Sequence, residues 1–159
     1  MRNENALTNS GVVVKRSILE QVGGLSEGFL TCVEDFDLWL KISRVTEKFT
    51  YIPNTLGAYW LGNGKVSEPS RIIADRTKFV YHKYFNFLKE DDRKQSEMVL
   101  CYLLGRIKRI LGLWKEALEF FKVSVKSENM KFKLRSICWI LLLNFFIKAR
   151  EVKKCMLKR

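Results

Sequence analysis

Three carboxylates in four residues, Glu34, Asp35 and Asp37, stand at the head of the run Glu34-Asp35-Phe36-Asp37-Leu38-Trp39-Leu40-Lys41. A helix N-terminus has unpaired N–H groups and the positive end of the macrodipole, which favour an acid by about 0.3–1 kcal/mol each. Phe36, Leu38, Trp39, Leu40 and Ile42 then form a broad apolar face at helical spacing. The pattern predicts a helix over 35–44 that starts at its acids, with Trp39 in the core.

The flanks of this helix read as short elements. Gly11–Lys15 is β-branched, as in a buried strand. Ser17 is placed to cap a short helix through Val22, stopped by Gly23-Gly24, which supply left-handed backbone. Phe49–Ile52 predicts a second strand closed by Pro53, and Ala58–Leu61 a third closed by Gly62-Asn63-Gly64. The front of the chain is therefore expected to be α+β, with few short strands.

After Pro69, a residue suited to a first helical turn, the pattern is helical to the end. Ile72, Ile73, Phe79, Val80, Tyr84 and Phe87 recur at helical spacing to about Leu88, and the charged cluster Glu90–Lys94 reads as the next break. Gly105, Gly112, Trp114, Ala117 and Phe121 resemble one tetratricopeptide-type helical hairpin, near 98–131. A single such unit cannot bury its own faces, so it must pack on the preceding helix and on the terminal one. Ile137–Ile147 is apolar except for Asn144. It is too short for a bilayer span, which needs roughly 20 residues. It reads first as a buried core helix. The alternative is an interfacial helix on an anionic membrane, because Lys131, Lys133 and Arg135 precede it and Lys148, Arg150, Lys153 and Lys154 follow. The predicted architecture is a front over 1–67 and an all-α tail over 68–159, mostly helical overall.

Composition narrows the function. Hydrophobic residues make up 47% of the chain, enough for a core. Cys32, Cys101, Cys138 and Cys155 are scattered without a C-x-x-C pair, and His82 is the only histidine. That argues against a zinc site or a disulfide scaffold and for reduced thiols in a cytoplasmic setting. Met1–Ser10 is polar and lacks the apolar core of a signal peptide. The formal net charge of +12 falls entirely in residues 68–159, with 22 basic and ten acidic residues against seven of each in residues 1–67. This asymmetry implies an anionic partner for the tail. Nucleic acid is not expected, since no fold for reading bases is visible and the aromatics have core-like spacing.

The front motifs carry a resemblance. Asn9-Ser10-Gly11-Val12-Val13-Val14-Lys15-Arg16-Ser17, Val22-Gly23-Gly24-Leu25-Ser26-Glu27, Val33-Glu34-Asp35-Phe36-Asp37-Leu38-Trp39-Leu40-Lys41, Tyr51-Ile52-Pro53 and Tyr59-Trp60 follow in order. This series resembles the second half of the catalytic domain of family 2 glycosyltransferases of the GT-A fold. The resemblance covers about residues 7 to 67. It implies transfer of a sugar from a nucleotide-sugar donor to a glycan or lipid-linked acceptor, at the cytoplasmic side or peripherally on the inner face of the membrane.

By that resemblance Asp35, the second acid of the family's x-E-D motif, is the general base that takes the acceptor's proton, and Glu34 orients the acceptor or tunes Asp35. Asp37, Trp60, Asn63 and Lys65 are the substrate-side candidates. Asp37 lies about 200° around the helix from Asp35, which also fits a capping or buried structural role. Gly62-Asn63-Gly64 with Lys65 is either a loop over the diphosphate or a plain hairpin turn. The complete enzyme is expected to use a divalent cation, Mg²⁺ or Mn²⁺, held by a D-x-D motif. This chain has no D-x-D outside Asp35-Phe36-Asp37, and Gly62 stands near where many relatives carry a histidine. No metal ligand is assigned here, and the chain alone is expected to be inactive. The rival expectation is a non-catalytic helical module that binds an acidic protein or a membrane surface through residues 131–159.

Overall fold

The computed structural model describes residues 1, 5, 7–28, 32–55, 57–58 and 70–156. The chain divides into two compact units, a front of Asn5–Glu68 and a tail built mainly on Pro69–Arg159.

In the front, a single 3-10 turn over Asn9–Gly11 leads into extended backbone, with Val12 at φ −128°, ψ 139° and Lys15 at φ −63°, ψ 132°. Helix α1 is Arg16–Val22 and helix α2 is Glu34–Ser43. Helix α1 stops where the double glycine requires it. Gly23 and Gly24 take φ of 75° and 64°. The Gly24 N–H donates to the Leu19 carbonyl at 2.9 Å and the Gly23 N–H to Glu20 at 3.3 Å, the paired bonds of a Schellman stop. The unit's core is Leu38, Trp39 and Ile42 of α2, covered by Val12, Val14, Ile18, Leu19 and Val22.

The expected α+β front is corrected here: among the described residues every regular element is helical and none is a strand. A strand exists only through a partner's N–H and C=O groups, and β propensity counts only on a half-buried pleated surface. The pairing is what the described segments lack: Val12 and Val14 do turn onto the core while Val13 faces out, but no neighbouring strand among the described residues completes a ladder. Val13 is 97% exposed and Tyr51 84% exposed, and the residues around them run as unpaired chain. Residues 59–61 of the third expected strand lie outside the described residues.

The tail contains α3 (Arg71–Phe85), α4 (Glu90–Ile110), α5 (Trp114–Ser124) and α6 (Met130–Met156). Ser70 caps α3, its Oγ accepting the Ile73 N–H at 3.2 Å. The cluster Glu90–Lys94, expected as a break, is instead the first turn of α4. Glu90, Asp91 and Asp92 sit at the positive end of the helix, and Lys94 pairs with Glu90 at 2.7 Å one turn on.

Helices α4 and α5 form an antiparallel hairpin turned at Gly112, φ 73°. Gly105 lets them approach closely. A Cβ there would lie 2.9 Å from Cε1 of Phe121, a fully buried ring. Antiparallel packing of α5 on α6 follows from the Ser124–Ser136 hydroxyl bond at 3.1 Å, the stacked rings of Phe121 and Trp139, and Trp114 against Phe146. Gln95 of α4 fixes the α5–α6 connection: its Nε2 donates to Ser127 Oγ at 2.7 Å and its Oε1 accepts the Glu128 N–H at 3.1 Å.

The apolar run of α6 is buried on one side only. Phe132, Ser136 and Leu143 face the core, whereas Leu141 and Phe145 are 66% and 67% exposed. The expected burial of Ile137–Ile147 holds for that inner face alone, because α5 covers no more than one side of the helix. Among the described residues no helix is long and apolar enough to cross a membrane.

Candidate functional site

The acidic run divides by helical geometry. Helix α2 begins at Glu34, so Glu34, Asp35 and Asp37 all fall in its first turn. Asp37, two residues beyond Asp35, points inward and is fully buried. Its Oδ2 accepts the Ser26 hydroxyl at 2.6 Å and lies 3.5 Å from the Lys41 ammonium. Lys41 Nζ donates to the Gly24 carbonyl at 3.1 Å and to Ser26 Oγ at 2.9 Å. The four residues form a closed clamp that ties the turn after α1 to the body of α2. A carboxylate held this way positions the backbone and has no face left for a substrate.

Asp35 and Glu34 are placed differently. Both are half-buried. Asp35 Oδ1 accepts the Phe36 N–H at 2.6 Å. Burial pushes its carboxyl above the ordinary carboxylate value, and the neighbouring Glu34 charge adds to this against the opposing backbone hydrogen bond. Glu34 Oε2 is buried without a hydrogen-bond partner, an acceptor atom with spare capacity beside Asp35. Immediately upstream, Cys32 holds φ 80°. For a residue with a Cβ this left-handed backbone costs of order 1–3 kcal/mol, and such strain gathers at functional sites.

Trp39 is buried in the front core, and its indole Nε1 has no partner. It packs in the apolar cluster with Leu38 and Ile42, against Val12, Val14, Ile18, Leu19 and Val22, as expected of a core residue. Trp60, Asn63 and Lys65 lie outside the described residues.

The divalent cation implied by the resemblance does not fit the acids that are described. Asp37 already neutralises Lys41, whose ammonium would repel a cation brought to the same oxygen. Asp35 leaves the helix about 200° away from Asp37, so the two carboxylates do not converge. Among the described residues, no group of three or more His, Cys, Asp or Glu side chains is placed to hold a metal ion.

Sequence reasoning missed Ser26 and Gly24 as partners of Lys41 and Asp37. The i,i+4 spacing of Asp37 and Lys41 signals their ion pair, but a contact from eleven residues upstream leaves no local trace.

Comparison with protein-family models, with curated proteins and with solved structures gives no match.

Proposed function

We propose that the chain takes part in glycosyl transfer, with the front unit presenting the acceptor side and Asp35 acting as general base. The observation that carries the reading is the state of Asp35: a half-buried carboxyl in the first turn of α2, its proton affinity raised by burial and by Glu34. A base must be ionised yet basic enough to take a proton, and raising a carboxyl toward the working pH serves both needs. The ordered motifs that resemble family 2 glycosyltransferases supply the reaction class.

In this reading Asp35 accepts the proton of the acceptor hydroxyl as that oxygen bonds to the anomeric carbon. The donor's bond from that carbon to the nucleoside diphosphate breaks in the same step. Glu34, half-buried beside Asp35, orients the acceptor or tunes Asp35 through its charge. Asp37 holds the turn and does not touch substrate. The donor is bound by residues other than those described, and Trp60, Asn63 and Lys65 remain the substrate-side candidates. The work is placed at the cytoplasmic side of a membrane, where nucleotide sugars are available and the free thiols of Cys32, Cys101 and Cys138 stay reduced.

The test is kinetic. The chain alone should not turn over sugar nucleotides. Joined to a donor-binding glycosyltransferase half, it should support transfer that falls about 10²–10⁴-fold on Asp35→Asn, the usual contribution of a positioned base. Undiminished transfer in that variant removes Asp35 from the role.

A further inference from the structure

We infer that helix α6 is a docking face for an anionic lipid surface, on which it lies flat. The inference rests on the tail and is independent of the chemistry assigned to Asp35. Leu134, Ile137, Leu141, Phe145, Val152 and Met156 are each between 37% and 71% exposed. At about 100° per residue they fall within one sector of the helix, opposite the side on which Phe132, Ser136 and Leu143 are buried. The stripe spans 23 residues, from Leu134 to Met156, a rise of about 33 Å at 1.5 Å per residue.

Charge defines the partner. Lys133 and Arg135 stand one residue to either side of Leu134, so each lies about 100° off the stripe and on opposite flanks. Both are exposed; Lys148, also exposed, falls within the stripe's own sector, where its stem can lie along the apolar face and its head rise to the headgroups. Residues 131–159 carry nine basic residues and one acid, Glu151, whose carboxylate is 3.6 Å from Lys115 of α5. An apolar stripe with cations on both margins matches a plane of acyl chains beneath anionic headgroups. The stems of the cations lie along the apolar edge while their heads reach the phosphates. A second copy of the chain suits this face poorly. Two α6 helices laid stripe to stripe would set basic margins against basic margins, with few acids to offset them.

Vesicle sedimentation with the full chain tests the inference. Vesicles of equal parts phosphatidylglycerol and phosphatidylcholine should bind the chain, and pure phosphatidylcholine vesicles should bind it weakly. High salt should weaken the binding without removing it, because the apolar stripe is not screened. Phe145→Ser should weaken binding on the order of tenfold or more, the effect of losing one buried aromatic ring. Lys133→Glu and Arg135→Glu should each weaken it about fivefold or more, as expected of a juxtamembrane cation. All three side chains are exposed, so an unchanged circular dichroism spectrum separates lost docking from lost folding. Equal binding to both vesicle types, or full binding by Phe145→Ser, overturns the inference. So does failure to bind the anionic vesicles, and a dimer in light scattering that Phe145→Ser dissolves would then assign the face to a second copy.

Discussion

Replacing Asp37 with asparagine should loosen the front unit without touching the chemistry assigned to Asp35. The wild-type carboxylate is fully buried, takes the Ser26 hydroxyl at 2.6 Å and faces Lys41 at 3.5 Å. Breaking a buried ion pair on one side typically costs about 3–5 kcal/mol. The loss here is smaller for two reasons. Lys41 is 22% exposed and keeps its bonds to Gly24 and Ser26. The asparagine carbonyl can also still accept the Ser26 hydroxyl. What goes is the charge, leaving about 1.5–3 kcal/mol, the range of a hydrogen bond to a charged group. Since 1.4 kcal/mol is tenfold, local opening should rise roughly 10- to 150-fold.

Hydrogen exchange followed by mass spectrometry reads this directly in the amides of α1 and α2. A further Lys41→Met change should recover part of the protection, because no unpaired charge then remains. Asp35→Asn in the same assay should go the other way. Its folded-state pKa lies above the unfolded value of 3.8, so the folded state binds more protons in that interval. Stability from this group is therefore lost as pH rises from 3.8 through the folded-state value. At neutral pH the ionised Asp35 opposes folding, and asparagine removes that opposition. Protection in α2 should stay level or rise, and the gain should vanish below pH 3.8. A change under threefold for Asp37→Asn would refute the clamp.

Gly105→Ala gains about 1 kcal/mol of helix propensity but drives a Cβ to 2.9 Å from the buried Phe121 ring. Overpacking of that kind costs about 1–3 kcal/mol, so urea unfolding should show net destabilisation that Phe121→Leu relieves. An increase in stability would show that the ring has room to move. Alkylation at pH 8 should reach exposed Cys138 well before Cys101, whose thiol is pushed up to about 11 by burial and by Glu97. Faster reaction at Cys101 would contradict its burial.

What the residues disclosed depended on how local the physics was. The start of α2 was readable because acids and a helical apolar face sit side by side in the chain, and the stop of α1 because two glycines supply left-handed backbone. The glycine that admits Phe121 was legible because its motif lies within one hairpin. The strands were not, since Val12–Lys15 has β-branched residues but no paired neighbour to make them a sheet. Glu90–Lys94 misled because a charge cluster looks like a loop until its order, acids first and then Arg93 and Lys94, is weighed against the macrodipole. At the candidate site, the different placements of Asp35, half-buried, and Asp37, fully buried, followed from their two-residue spacing. The inward anchor of Asp37 required Ser26, which only the folded chain brings near.

Helix α6 has 27 residues and α5, the helix it packs on most, has 11, about 40 Å against 16 Å. Contacts with α5 run along α6 from Ser136 through Phe146 and Arg150 to Glu151, so only its last turn, residues 152–156, projects like the end of a beam past its support. Val152 and Met156 in that turn are 53% and 71% exposed, so it draws little of its helicity from packing. The order of that overhang is the quantity a surface can most readily supply. Amide exchange in the last turns of α6, measured with and without vesicles, would gauge how much of the beam is self-supporting.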